Sequence, residues 1–343
     1  MTPERLRAIT SRYPALRVAV VGDFCLDRYL EIDPLRRETS IETSLPVHNV
    51  VRVRAQPGGA GTIVNNLVAL GVGRIVPVSF GGDDGEGYEL RRELAALPGV
   101  ELDHFVTTPE RRTFTYCKPI LIQAGREPVE LSRLDSKNWT PTPEPISKQL
   151  AQVLRQIAPE MDAIVVLEQV DQAETGVITR GLLEEIDRLA AARPSFPILA
   201  DSRRGLGGWP GLSFKMNAAE LATLLGRDET MSVEDVKIAA PALARRNGRP
   251  VFVTLAERGI VAASPEGSME HVEALPVRGP IDIVGAGDAV TANLAAALSS
   301  GASLREAIEL AAIASSVVIH QLGTTGTAGA ADLGAWADRV AKA

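Results

Sequence analysis

The chain has 343 residues, 45% apolar and 23% charged, a balance that suits a packed globular core and excludes disordered, collagen-like and coiled-coil classes. A formal net charge of −7 argues against a nucleic-acid surface, and no apolar run approaches the ~20 residues that span a bilayer, so neither nucleic acid nor membrane is an expected partner. Two cysteines, Cys25 and Cys117, give no disulfide framework, and four histidines without a paired spacing give no zinc set; with no signal-like start, a cytoplasmic location is expected.

In chain order, residues 17–22 form an apolar run ending at Asp23, which predicts a buried first strand with a carboxylate at its carboxyl edge. Further strands are predicted at 75–80, 163–167, 197–200, 214–217 and 251–255. Helical periodicity falls near 59–70, 86–97, 145–157, 174–192, 218–225 and 232–246, then at 286–299, 303–319 and 330–341. Such alternation predicts an α/β fold, a mostly parallel sheet covered by helices. Residues 28–54 and 112–135 break the pattern. They are rich in β-type and charged residues without helical period, which predicts short strands outside the main sheet, forming a lid.

Three local motifs could carry chemistry. Asp282-Ile283-Val284-Gly285-Ala286-Gly287-Asp288 opens a helix-prone run. Two glycines allow a tight curl, the free N–H groups of a helix start attract an anion, and a carboxylate there could take a proton from an attacking hydroxyl. A plain loop with Asp288 as N-cap fits the same residues. Pro57-Gly58-Gly59-Ala60-Gly61 precedes a helix; it suits close approach to a polar ligand, or simply close helix–strand packing. Asp27, just beyond the first strand, lies where open α/β sheets bind ligands, although a solvated turn aspartate is the commoner case.

Taken in order, Gly22-Asp23 with Asp27, Gly58-Gly59, Asn217-Ala218-Ala219-Glu220, Thr254-Leu255-Ala256-Glu257-Arg258-Gly259 and Gly285-Ala286-Gly287-Asp288 resemble the ribokinase-like (PfkB) carbohydrate kinases over about residues 16–326. Asp27-Arg28-Tyr29, Pro46-Val47, Arg133-Leu134-Asp135 and Leu322-Gly323-Thr324 further resemble the heptose-7-phosphate kinase domains of the ADP-heptose pathway. The resemblance implies one three-layer α/β/α domain over residues 1–343, with a mostly parallel central sheet and a small β lid, pairing through that lid into a homodimer. It implies phosphoryl transfer from ATP to a hydroxyl of a sugar or sugar phosphate.

Within that resemblance, Asp288 is the catalytic base and the N–H groups of Gly285, Ala286 and Gly287 form the anion hole. Asp27, Gly58 and Gly59 match sugar-contacting positions, and Arg203 stands where the heptose kinases carry a lysine. Asn217 and Glu220 match the motif that organises Mg2+ and its waters, Glu220 through water; an ordinary capping box is their other reading. Thr254, Glu257 and Gly259 would lie along the nucleotide. Asp282 matches an aspartate that helps hold a monovalent cation such as K+. Six arginines, at 28, 36, 37, 112, 203 and 204, are candidates for gripping an acceptor phosphate.

Several positions depart from the family pattern. Ile283 and Val284 replace the usual threonines, Thr62 a usual asparagine, and Leu167-Glu168-Gln169 the Ser-Asp-Tyr of heptose kinases. These departures motivate a competing reading, a catalytically degraded nucleotide- or sugar-binding regulator on the same fold. A dinucleotide dehydrogenase is not supported, because Gly22-Asp23-Phe24-Cys25 stands where a G-x-G-x-x-G would be needed.

Overall fold

Residues 1–227 and 231–340 are described by the computed structural model of the chain. Fourteen strands occur among them: β1 (Arg17–Gly22), β2 (Phe24–Thr39), β3 (Pro46–Gly59), β4 (Arg74–Gly82), β5 (Phe105–Thr108), β6 (Phe114–Leu121), β7 (Val129–Glu130), β8 (Leu134–Ser136), β9 (Ala163–Glu168), β10 (Ile198–Ser202), β11 (Ser213–Asn217), β12 (Val251–Thr254), β13 (Ile260–Ala263) and β14 (Met269–Val272). The α-helices are α1 (Pro3–Thr10), α2 (Ala60–Leu70), α3 (Gly85–Ala95), α4 (Glu144–Ile157), α5 (Arg180–Ala192), α6 (Ala218–Leu224), α7 (Val233–Asn247), α8 (Ala286–Ser299), α9 (Leu304–Val318) and α10 (Ala330–Val340).

The main sheet runs β14-β13-β12-β11-β10-β9-β1-β4-β5, parallel from β12 to β5 and antiparallel only where β13 and β14 fold back at one edge. Its strands are apolar on both faces, as a sheet covered twice requires. The period-two alternation sorts them: Val18, Val20 and Val165 pack with α2, α8 and α9, while Ala19, Val21 and Val166 pack with α4, α5 and α7. The result is a three-layer α/β/α domain. From β1 the chain proceeds to β4 on one side and later to β9 on the other, so the β1/β9 edge is the topological switch point where ligands of open α/β sheets bind.

A second sheet, β3-β2-β6-β7 with β8 also on β6, stands beside that edge. Its principal strands are long, 16 residues in β2 and 14 in β3, not short as expected. Antiparallel pairing of β2 with β3 runs unbroken from Phe24↔Gly59 to Glu31↔Arg52, which sustains the length. The helix expected over 174–192 begins only at Arg180. Thr179 accepts the Leu182 N–H as its N-cap, Glu174 takes a positive φ of 64°, and the residues between are held by other contacts. Helix α1 and strands β5, β13 and β14 were not expected from the sequence.

Candidate active site

The loop before α8 closes on Gly285, whose φ is 81° and whose absent side chain makes room for Thr325; a Cβ there would lie 2.6 Å from Thr325 Cγ2. Asp288 follows in the first turn. Its half-buried carboxylate receives no hydrogen bond from any described residue. Burial pushes its pKa up to about 7, with Lys215 pulling it down and Asp201 and Asp27 pushing it further up. Such a group exchanges a proton near neutrality, as a general base must. Of the three expected anion-hole N–H groups, that of Ala286 donates to Ile283 O at 3.2 Å and so closes the turn.

Beneath this turn lies an ion pair that sequence reasoning passed over. Lys215 on β11 reaches Asp201 on β10 at 2.7 Å, both side chains buried, and Thr291 of α8 approaches the same Asp201 oxygen at 3.5 Å. The available signal was a lysine between Phe214 and Met216 in a strand predicted to be buried, an uncommon place for a charge. Asn217, next in line, caps α6. It accepts the Glu220 N–H at 2.9 Å, and Glu220 Oε2 accepts the Asn217 N–H at 2.7 Å, so the capping-box geometry is present. Burial raises the Glu220 pKa, and Asp201 adds to it while Lys215 opposes.

Toward the lid, Asp27 lies in strand β2 rather than in a turn. It is buried and 3.3 Å from Lys118 of β6; burial raises its pKa and Lys118 opposes the rise. Gly58, paired with Cys25 on the same ladder, lies close by, where a Cβ would fall 2.6 Å from Asp27 Oδ2, and Gly59 turns the chain into α2 with a φ of 57°. Gln56 donates to Thr325 Oγ1, joining β3 to the stretch that backs Gly285. The lid edge, the α8 turn and the C-terminal threonines thus meet in one cleft.

The remaining expected residues divide. Thr254 ends β12 beside β11, its hydroxyl 3.4 Å from Met216 O. Gly259 has a structural reason for its identity: with φ at 91°, a Cβ would lie 1.9 Å from Val272 O. The Glu257 side chain is 80% exposed and touches only Arg258, at 4.0 Å. Asp282 uses one carboxylate oxygen to accept the Val284 N–H at 3.0 Å. Among the six arginines, Arg28 is bound to Glu89 and Arg204 to buried Glu168, while Arg36 and Arg37 sit on the outer part of β2. Arg112 exchanges backbone hydrogen bonds with the Asn138 side chain. Arg203 is 3.4 Å from Asp171, which also binds Lys137 at 2.6 Å; Lys137 and Arg133 lie 5.8 Å and 5.0 Å from the Tyr116 ring centre.

A doubly covered parallel sheet, a lidded switch point and a carboxylate in the first turn of a glycine-led helix define the ribokinase-like class. Solved structures share the architecture. Escherichia coli phosphofructokinase-2 in complex with fructose-6-phosphate aligns with a TM-score of 0.65 at 19% identity, over 95% of this chain and 99% of that one. Arabidopsis thaliana ribokinase complexed with ribose and ATP aligns at 0.63 and 17%, over 90% and 94%. At such identities the likeness speaks for the fold.

In sequence, the chain is 32% identical over 329 residues to the bifunctional protein HldE of Hyphomonas neptunium, and 33% over 324 residues to that of Paramagnetospirillum magneticum. Both alignments take in 93% of this chain, which spans 63% of the length of each relative. Residues 213–329 match the pfkB family carbohydrate kinase domain. By this domain match and these relatives the chain is similar to the PfkB family of carbohydrate kinases.

Proposed function

We propose that this chain transfers the γ-phosphoryl group of ATP to a hydroxyl of a sugar phosphate of the heptose-7-phosphate kind. The observation that carries this reading is Asp288, a carboxylate with no hydrogen-bond donor, a pKa near 7, and a place in the first turn of α8. In this scheme Asp288 takes the proton of the acceptor hydroxyl as the oxygen attacks. The helix start, with the N–H groups of Gly285 and Gly287 and that of Ala286 once the turn opens, stabilises charge on the moving phosphoryl group. Asp27, Gly58 and Gly59 orient the sugar. Thr254, Glu257 and Gly259 border the nucleotide, with Gly259 acting through the backbone bend it permits.

The fit to Mg2+ is one of charge and not of direct ligation. Among the described residues no group of three acids, histidines or cysteines is placed to hold a metal ion. Asp201, Glu220 and Asp288 nevertheless share the influence of the single ammonium of Lys215, an excess of negative charge that suits a hydrated divalent cation. Glu220 with Asn217 would hold the ion through water, and it supplies neutralisation of the nucleotide phosphates when bound. The fit to K+ is poorer. Asp282 keeps one oxygen free, but its neighbours Ile283 and Val284 offer no side-chain oxygen, and no step above needs a monovalent ion.

A phosphorylated acceptor is favoured over a free sugar by the cluster at Tyr116. There Arg133, Lys137 and Arg203 gather on one side of the lid, paired with Asp135 and Asp171 and with Glu130 acting on Arg133, and two of the three are the guanidinium groups that grip phosphate bidentately. The outer lid strands leave Val50, Val51 and Val53 exposed, which supports pairing of two lids into a homodimer, checked by light scattering of the purified chain. Among the described residues, no helix is long and apolar enough to cross a membrane.

ADP release with Mg-ATP against a panel of free sugars, sugar phosphates and nucleosides tests the reading. Turnover on a sugar phosphate that Asp288→Asn abolishes supports it, and turnover on a free sugar alone removes the phosphate assignment. Nucleotide binding with silence across the panel favours the regulator, a reading motivated here by the engaged Ala286 N–H and by Glu168 being tied to Ser202 and Arg204.

A further inference from the structure

We infer that Lys215 is a catalytic residue, its ammonium donating directly to the γ-phosphoryl oxygens from beneath the first turn of α8. This deepens the kinase reading and rests on it. An ammonium has three N–H donors, and among the described residues Lys215 uses one, to Asp201 at 2.7 Å. Two donors of a nearly fully buried cation are therefore available in the cleft. Their position is fixed by Gly287, where a Cβ would stand 3.0 Å from Nζ with no other heavy atom within 4 Å. The glycine thus leaves the ammonium open to whatever sits at the start of α8. Gly287 has no positive φ to account for it, so room for Lys215 is the reason the structure offers for glycine at this position.

The surrounding charges agree with that role. Lys215 is faced by Asp201 from β10, Glu220 from α6 and Asp288 from α8, and Asp288 is faced in addition by Asp27 from the lid. Asp201 would hold the ammonium in place, leaving its remaining donors for the phosphoryl group, which carries charge on three oxygens during transfer. Asp201 acts through Lys215 and is a positioning residue.

Titration of the full chain with Mg2+ and either ADP or the non-hydrolysable ATP analogue AMP-PNP tests the inference without knowledge of the acceptor. Lys215→Met is expected to weaken AMP-PNP binding by about 10- to 100-fold, the worth of a hydrogen bond to a charged group, and ADP binding far less. Asp201→Asn keeps the ammonium and leaves it an amide oxygen to donate to, so the preference for AMP-PNP over ADP should shrink by less than in Lys215→Met. The double variant Asp201→Asn/Lys215→Met, which removes both members of the ion pair, should reproduce the loss even if Lys215→Met folds poorly. Equal weakening of both nucleotides in the lysine variants assigns the pair a structural role and overturns the inference. A wild-type chain that binds neither nucleotide overturns the kinase reading and this inference with it. A wild type that binds both while Lys215→Met behaves identically overturns the inference alone.

Discussion

Two aspartates at the carboxyl edge of the main sheet share one environment and differ in what they touch. Asp23, just after β1, is fully buried, and burial lifts its pKa to about 6 against the pull of three backbone N–H groups. Those donors, from Val177, Gln169 and Val170, lie at 2.6, 2.7 and 3.2 Å and bind the loops after β9 to the end of β1. Asp288 is lifted as well, to about 7, yet nothing donates to it. Burial alone therefore does not mark a base. A carboxylate held by three backbone donors is a strut; one that receives no hydrogen bond from any described residue and stands half-open is poised to take a proton.

The largest test of that contrast is Asp288→Asn. The amide keeps the shape and loses the basicity, so turnover should fall by about 100- to 10,000-fold, the usual worth of a positioned base. AMP-PNP affinity should stay within a few-fold. Turnover near wild type would place the base elsewhere. Asp23→Ala should do the reverse. It leaves three buried N–H groups without an acceptor, at about 1–3 kcal/mol for a buried donor so stranded. Thermal denaturation should show a clearly lower Tm, with kcat of the folded enzyme near wild type.

The same contrast separates two glycines. Gly58 lies against Asp27, and a methyl there would sit 2.6 Å from the carboxylate oxygen. Gly58→Ala should raise KM for the acceptor about tenfold, as a displaced charged hydrogen bond would, with little change for ATP. Gly259 lies against Val272 O at a distance no Cβ tolerates, in a left-handed conformation besides. Gly259→Ala should lower Tm and leave acceptor KM alone. Steady-state kinetics beside melting curves on both variants decide it, and a KM effect from Gly259 would put the acceptor at the wrong end of the cleft.

Much of the frame was legible in sequence because it rests on local periodicity. The strand at 163–167 and the helices at 286–299 and 303–319 follow from apolar spacing, and the structure places them within a residue or two. Asp288 was legible for a similar reason, since its glycines and its helix are contiguous with it. What escaped depends on partners distant in the chain. Lys215 and Asp201 are 14 residues apart and meet only because β10 and β11 pair in parallel. The strut role of Asp23 rests on donors about 150 residues away. Tyr116, Lys137 and Arg203 form one cluster only once β6 joins the lid and the β10 edge comes beside it. Helix α1 was missed although its signals are local: Thr2 caps it by accepting the Arg5 N–H, and Pro3 stands at its first position.

The smallest expected effect sharpens the comparison most, because it sets activity and stability against each other in one residue. The folded pKa of Asp288, about 7, lies above its ordinary 3.8, so between those values the folded chain binds more protons than the unfolded one. Its contribution to stability is complete below about pH 4 and is lost as pH rises through 7. Asp23 behaves alike but is exhausted near its own pKa of about 6. Catalysis needs the ionised carboxylate, so kcat/KM should climb through pH 7 over the range in which Tm declines. Asp288→Asn cannot ionise and should flatten the Tm decline between about pH 4 and 7, most clearly between 6 and 7, where Asp23 no longer contributes. Differential scanning calorimetry across that range decides the matter. An unchanged slope in Asp288→Asn would mean that Asp288 is already ionised at low pH in the folded chain, and its part as a neutral-pH base would fall.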